Sequence, residues 1–351
     1  MLVPSHRKRR TREFPNDFRT PQARLSDPSS ARNGPRSDGF DVHCGSPREA
    51  DVTTTPENDA LLRRSLPGEV LVGRYEVVRS LGMGSCGVVF EAHDRETGEQ
   101  VAIKMLRRTS SGDDEAVERF RREAMVLLDL RHPSIVGVMD LGVTDDGHFF
   151  LVMELISGRS LAARLEQQGA LEPAALLPIV HDVAEALEVA HRNGVIHRDI
   201  RPQNILLPDT QAVGVPRAKV VDFGLAKVTW DAPMTGAGVS LGMLRYAAPE
   251  QLGAASEVDQ RADVYSLGVV IFEALAGPAV LPFPEGAGML EAVLAGEALP
   301  LSARRPGLGD ALDAVIARAI ARDREARHGS ARELARAFGA ALTDPPPASD
   351  P

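Results

Sequence analysis

The sequence predicts an α+β fold, a small antiparallel sheet with a helix followed by a mainly helical second half. Three observations predict it. Short β-type runs crowd residues 74–106, a single helical face follows over residues 117–127, and further along the apolar spacing changes from two residues to three and four. A chain of 351 residues is long enough to build such a unit around a sizeable core.

The β-type runs are Arg74 to Leu81, Val88 to Ala92 and Val101 to Leu106, with a turn at Glu96-Thr97-Gly98-Glu99 before the third. Together they predict a small antiparallel sheet. Val117, Phe120, Ala124 and Leu127 then share one helix face, and two more strands are expected at Ile135 to Leu141 and His148 to Glu154. In the second half, Leu177, Val180, Ala184, Leu187 and His191 form a helical face that starts after Pro173 and stops at Asn193-Gly194. No internal repeat is visible.

The ends have a different texture. Residues 1–66 hold 7 Pro and 7 Ser but only 11 residues of the Leu, Ile, Val and Phe set, a share below the roughly 20% at which chains stop burying a core. This Pro/Ser/Arg-rich segment is expected to be a disordered tail. It carries 12 basic and 9 acidic residues in a chain whose net charge is −9. The run His6-Arg7-Lys8-Arg9-Arg10 has two readings, a solvated charge cluster or a contact to nucleic acid or acidic lipid, and no apolar stretch behind it makes a signal peptide. Residues 342–351 are expected to be a Pro-rich frayed terminus.

Composition narrows the classes further. An acidic total argues against a dedicated nucleic-acid binder. Cys44 and Cys86 are far apart and in no CxxC arrangement, so neither a disulfide framework nor a zinc site is expected. The richest apolar stretch, Leu267 to Leu281, is broken by Glu273 and two glycines, and no transmembrane segment is expected. These features fit a cytoplasmic protein.

Three stretches carry chemistry. Leu81-Gly82-Met83-Gly84-Ser85-Cys86-Gly87-Val88-Val89 is a G-x-G-x-x-G-x-V pattern between two expected strands. It is either a tight hairpin or a flap whose backbone N–H groups fold over phosphates. Val101-Ala102-Ile103-Lys104 sets Lys104 on the face opposite Ile103. The chain has only four Lys (Lys8, Lys104, Lys219 and Lys227) against 36 Arg, so a lysine at this slot is conspicuous. A buried ammonium needs a carboxylate, and Glu123 or Glu118 on the following helix offers one. Finally, His197-Arg198-Asp199-Ile200-Arg201-Pro202-Gln203-Asn204 and Val220-Val221-Asp222-Phe223-Gly224 supply carboxylate and amide oxygens of the kind Mg²⁺ prefers.

Taken in order with Ala248-Pro249-Glu250, Asp263-Val264-Tyr265-Ser266-Leu267-Gly268 and Arg327, these stretches resemble the eukaryotic-type (Hanks-type) serine/threonine protein kinases, in particular their bacterial branch, across residues 70–341. The resemblance implies two lobes, a small β-rich lobe with one key helix over 70–155 and a larger helical lobe over 156–341, with ATP and Mg²⁺ as cofactors and Ser/Thr-containing proteins as substrates. It implies that Lys104, supported by Glu123, holds the ATP phosphates, that Asp199 orients the substrate hydroxyl and accepts its proton, and that Asn204 and Asp222 ligate Mg²⁺. Val89, Ala102 and Leu206 match the apolar sandwich around adenine, and Met153-Glu154-Leu155-Ile156 matches the hinge along its edge. Glu250 and Arg327 match a buried structural ion pair. Thr235, Thr229 and Ser240 become phosphorylation candidates, with Thr235, seven residues before Gly242, favoured and Arg198 as the partner of its phosphate.

Three positions depart from the family pattern. Arg201 stands where Lys is usual, Met243 where Thr is usual, and Cys86 where an aromatic residue is common. Arg201 keeps the charge near the γ-phosphate but not the point geometry of an ammonium. The expected activity is phosphoryl transfer to protein Ser/Thr hydroxyls with autophosphorylation. The alternatives are a pseudokinase that binds ATP as a scaffold or sensor, and a small-molecule phosphotransferase. The sequence assigns no substrate identity and no oligomeric state.

Overall fold

The computed structural model describes residues 67–84, 87–106, 124–144, 147–210, 212, 214–223, 244–252, 258–284 and 286–343. The basic tail, Ser85, Cys86, Glu118, Glu123, Gly224, Thr229, Thr235, Ser240, Met243 and the Pro-rich end lie outside the described residues.

Six strands form one antiparallel sheet, in the order β1 (Val70–Leu71), β2 (Tyr75–Gly84), β3 (Gly87–Asp94), β4 (Gln100–Leu106), β6 (Phe149–Glu154) and β5 (Val138–Val143). Side-chain alternation gives it two different faces. Val101, Ile103 and Met105 join Val88 and Phe90 of β3 and Phe150 and Val152 of β6 in one cluster. Ala102 and Leu106 turn the other way, into the main core, with Leu151 and Met153. The turn between β3 and β4 is organised by Asp94, which accepts from Glu96 N at 3.0 Å and Thr97 Oγ1 at 3.0 Å. Arg74 grips the same carboxylate with Nη2 at 2.7 Å and Nε at 2.9 Å and reaches Asp140 at 3.3 Å, so one guanidinium fastens both ends of the sheet.

One expected strand is shorter than its apolar run. The run from Ile135 becomes a strand of this sheet only at Val138, because its first residues pair elsewhere. Ile135 makes a parallel bridge to Val220, Val136 N donates to Val220 O at 2.9 Å, and Val220 N donates to Ser134 O at 2.8 Å. An apolar run reports burial and not which backbone it pairs with.

The larger lobe begins with a second sheet, β7 (Gly158–Ser160), β8 (Ile205–Pro208) and β9 (Lys219–Val220). Helix α1 (Leu161–Gln168) is capped by Ser160, whose Oγ accepts from Ala163 N at 3.1 Å. Helix α2 (Pro173–Arg192) starts with Pro at its first position and ends before Gly194, whose φ of +75° suits only glycine readily. Its buried stripe runs Leu176, Ile179, Val180, Val183, Ala184, Leu187 and Ala190, with Leu177 of the expected face packed at its edge and the His191 side chain buried against Asp263. The apolar stretch that begins near Leu267 belongs to α3 (Arg261–Ala276), which is apolar almost all round and accordingly buried on every side. Gly268 lets α5 (Asp310–Ala319) approach: a Cβ there would lie 2.7 Å from Ala319 Cβ and 2.9 Å from Ile320 Cγ2. Helices α4 (Met289–Ala295) and α6 (Ala331–Ala341) complete the lobe, and Arg332 of α6 forks onto Glu185 of α2 at 2.7 and 2.8 Å. Among the described residues no helix is long and apolar enough to cross a membrane.

Candidate active site

The site forms where the inner face of the six-stranded sheet meets β8, β9 and the loops around them. β2 and β3 close as a hairpin in which Gly84 pairs with Gly87. Gly87 has φ +147°, and a Cβ built on it would fall 1.9 Å from the carbonyl oxygen of Met105, so the glycine is required by its own neighbouring strand. Leu81, Gly82 and Met83 are half-buried along β2. Val89 is half-buried against the main core, whereas Val88 is fully buried in the cluster on the other face. The side chain of Val88 therefore turns away from the cleft, as strand alternation requires. Ala102 and Met153 are register partners, and Leu206, Leu155 and Ile156 pack against the same core.

Lys104 stands opposite Val89 on β4, is 6% exposed, and sends Nζ to Asp222 Oδ2 at 2.6 Å. Asp222 is the second residue after β9 and has φ +67°, an uncommon conformation for a residue with a Cβ. Phe223 follows it into the core and meets the ring of His197 edge to face, with centroids 4.7 Å apart.

The loop between α2 and β8 carries the rest. Asp199 N donates to His197 Nδ1 at 3.2 Å, which leaves the proton on Nε2 to donate to Val221 O at 2.7 Å. His197 thus ties the loop to the residue before Asp222. Asn204 Nδ2 donates to Asp199 O at 2.8 Å and to Asp199 Oδ2 at 3.0 Å, and Val221 N donates to Asn204 O at 3.0 Å. Arg201 Nε lies 3.3 Å from the same Asp199 Oδ2, buried and without a hydrogen bond of its own. Sequence reasoning thus brought Lys104, Asp199, Arg201, Asn204 and Asp222 into one place, which is where the structure puts them.

Two supports escaped it. Asp263, quoted within its stretch but given no role, is fully buried and accepts from His197 N at 2.9 Å, Arg198 N at 2.8 Å and His191 Nε2 at 2.7 Å. Burial opposes its ionisation, but the His191 hydrogen bond, the nearby imidazoles and the His197 amide outweigh that and hold the carboxyl below its ordinary range. These two amides hold Arg198 in its left-handed conformation, φ +66°. Gln251 bridges Ala248 N, at 3.0 Å, and Arg198 O, at 2.8 Å. Its signal was a lone polar residue just after Ala248-Pro249-Glu250, which has no local pattern.

Further along, Tyr246 donates to Glu273 Oε2 at 2.6 Å, and burial first, then that carboxylate, raises the phenol well above its usual range. Glu250 and Arg327 form the expected pair through two bonds of 2.7 and 2.8 Å, with the Arg327 side chain fully buried.

The donor set suits a hard cation. The amide nitrogen of Asn204 is turned to Asp199, so its oxygen is the end left for a metal, and Asp222 adds carboxylate oxygens. Among the described residues no group of three or more His, Cys, Asp and Glu makes a self-sufficient metal site. Asn204 and Asp222 fit Mg²⁺, which takes one or two protein oxygens and completes its shell with water and substrate phosphate.

Comparison with known proteins agrees with this geometry. The family described as protein kinase domain matches residues 75–334. The chain is 38% identical over 275 residues to the serine/threonine-protein kinase PknH of Mycobacterium bovis, covering 78% of this chain and 45% of that protein. It is 41% identical over 279 residues to PknJ of Mycobacterium tuberculosis, covering 78% and 46%. The chain thus spans less than half the length of these curated relatives. The crystal structure of the Mycobacterium tuberculosis PknI kinase domain superposes with a TM-score of 0.63 at 31% identity, covering 79% of this chain and 98% of that one.

Proposed function

The chain belongs to the protein kinase family, and from that membership we propose that it transfers the γ-phosphate of ATP to Ser/Thr hydroxyls of protein substrates, autophosphorylation of its own loop included. The observation that carries the proposal is the convergence of Lys104, Asp199, Asn204 and Asp222 from three separate stretches of chain. Phosphoryl transfer asks for positioning and charge neutralisation more than for covalent chemistry, and this site offers both. Mg²⁺, when bound, neutralises phosphate charge. Lys104 gives an ammonium to phosphate oxygens once it exchanges Asp222 for them. Asp199, held on one oxygen by Asn204 and Arg201, orients the acceptor hydroxyl and takes its proton. Arg201 lies close enough to spread its charge toward the transferred group. Glu123 is proposed as a second carboxylate for Lys104, and the hairpin of Gly82, Gly84, Ser85, Cys86 and Gly87 as the cover over the phosphates.

The domain itself is proposed to run over residues 70–341, with residues 1–66 as a tethering tail, and to act in the cytoplasm, where ATP is supplied. Thr235 is the proposed loop phosphosite, ahead of Thr229 and Ser240. Arg198, half-buried and fixed by Asp263 and Gln251 at its backbone, is suited to pair with that phosphate. No observation favours a binding-only scaffold over the enzyme.

The deciding experiment incubates the purified chain with Mg²⁺, labelled ATP and a generic basic protein, then maps the labelled residues. Label on Ser/Thr in the parent and none in Asp199→Asn is expected. Absence of transfer in the parent, with ATP bound, would overturn the proposal.

A further inference from the structure

Glu154 ends β6, where the chain leaves the six-stranded sheet for the larger lobe. Its backbone stands at the expected hinge, but its side chain has separate work. Oε1 accepts two hydrogen bonds, from Gly137 N at 2.8 Å and from Lys219 Nζ at 2.7 Å. Glu154 N in turn donates to Gly137 O at 3.0 Å.

The two donors are anchored differently. Gly137 follows directly on the segment 134–136, whose backbone is bonded to Val220, and Val220 neighbours Lys219 on β9. β9 is fixed in turn to β8, through Ile205–Val220 and Leu206–Lys219. Lys219 therefore rides on a unit anchored in the larger lobe, whereas Gly137 is shared, since its carbonyl accepts from Glu154 N and the next residue, Val138, pairs with Met153 of β6. Rotation of the six-stranded sheet about residues 155–157 must stretch or break the Lys219 bond. Lys219 stands three residues before Asp222 and is one of only four lysines in an arginine-rich chain.

We propose that the Glu154 carboxylate, closed by Lys219, is a hinge latch that slows opening of the cleft and so sets the rate at which spent nucleotide leaves. The proposal rests on the ATP-dependent reading above. Lys219 and the Glu154 carboxylate are positioning groups, since neither touches the reacting atoms. The pair is part-exposed, with side chains 15% and 36% accessible, so its rupture changes a rate by a modest factor and does not unfold the domain.

The test compares the parent chain with Lys219→Met, Lys219→Arg, Glu154→Gln and the double variant Glu154→Gln/Lys219→Met. Release of a fluorescent ADP analogue is followed by stopped flow, and amide hydrogen exchange of residues 154–157 is followed without nucleotide. Lys219→Met is expected to release ADP about three- to tenfold faster, with faster hinge exchange and unchanged single-turnover transfer at saturating ATP. Lys219→Arg is expected to keep the parent rate, and the double variant to be no faster than Lys219→Met, because the two side chains form one latch. Parent-like release and hinge exchange in Lys219→Met would overturn the latch, as would fully additive effects in the double variant. If the parent chain does not bind the ADP analogue, the ATP reading fails, and hinge exchange alone still decides whether the latch exists.

Discussion

Lys104 Nζ and Asp222 Oδ2 stand 2.6 Å apart, although 118 residues separate them in the chain. One is carried by the sheet of the smaller lobe and the other by the loop after β9, so their contact fixes where the two lobes face each other. A metal-bound triphosphate entering the cleft has the charges to satisfy both partners, its phosphate oxygens taking the ammonium and its cation taking the carboxylate.

That exchange predicts separable losses. Lys104→Met removes a charge aimed at the transferred group and is expected to lower single-turnover phosphotransfer by on the order of 10²- to 10³-fold. Asp222→Asn keeps the shape but weakens the hold on the cation, so the Mg²⁺ concentration for half-maximal rate should rise by roughly tenfold or more. Mg²⁺ titrations of ATP-dependent peptide labelling measure both. Parent rates in both variants would remove these residues from the chemistry.

Arg201 gives a second prediction. Its Nε lies 3.3 Å from Asp199 Oδ2, an oxygen that Asn204 also holds. The contact is an ion pair and not a hydrogen bond: two charges about 4 Å apart attract by roughly 4 kcal/mol at a surface-like effective dielectric before desolvation is subtracted, and about 1.4 kcal/mol is tenfold in rate. Arg201→Ala should therefore cut kcat by roughly ten- to a hundredfold while the KM for ATP moves little, and Arg201→Lys should fall between. Met243→Thr, which puts back the hydroxyl usual at that position of the family pattern, should raise the rate only modestly and non-additively with Arg201→Lys. Steady-state kinetics of the parent, the three single variants and the double variant settles the point, and strict additivity would mean that the residues do not share a network.

The chemistry-bearing residues were legible because each belongs to a short contiguous pattern: Lys104 in a strand of alternating faces, Asp199 and Asn204 five residues apart, Asp222 just after an apolar pair. Strands β2, β3, β4 and β6 were legible for the same reason, since period-two burial needs only local sequence. What escaped is long-range and polar. Gln251 bonds to Arg198, 53 residues away, and Lys219 to Glu154, 65 away, and nothing in their own neighbourhoods marks them. Ile135 looked like strand because it is buried, and the sequence does not say that its backbone partner is Val220 instead of β6.

A third prediction concerns stability. Arg327 is fully buried, forks onto Glu250, and also donates to the carbonyls of Ala321, Arg261 and Arg322. Glu250→Ala leaves that guanidinium with its charge uncompensated, a situation that costs about 3–5 kcal/mol. Urea unfolding should show a loss of that size. Arg327→Met with Glu250→Leu should cost less than the sum of the single changes, because neither charge is then left alone. A loss below about 1 kcal/mol for Glu250→Ala would mean that the pair is solvated in solution.

The last prediction follows from Asp263, whose folded carboxyl is held below its ordinary range against the opposing effect of burial. In the unfolded chain an aspartate titrates near about 3.9. A group depressed on folding stabilises the native state fully above its unfolded value and loses that contribution as pH falls through the folded value. The native state should accordingly weaken from about pH 4 downward as the acceptor for His197 N, Arg198 N and His191 Nε2 becomes protonated. Asp263→Asn cannot titrate, so it should be less stable than the parent at pH 6 yet show a shallower acid limb, the difference between the two urea curves isolating this one carboxyl from Glu185 and Glu333, which are also depressed. If Asp263→Asn does not fold, His191→Gln serves, because removing the imidazole raises the folded value and should move the acid limb to higher pH. Because the same carboxylate holds the two amides that lead into the strained Arg198 turn, phosphotransfer should fall along with stability on the acid side. Parallel acid limbs in the parent and in both variants would show that folding does not hold the Asp263 carboxyl below its ordinary range.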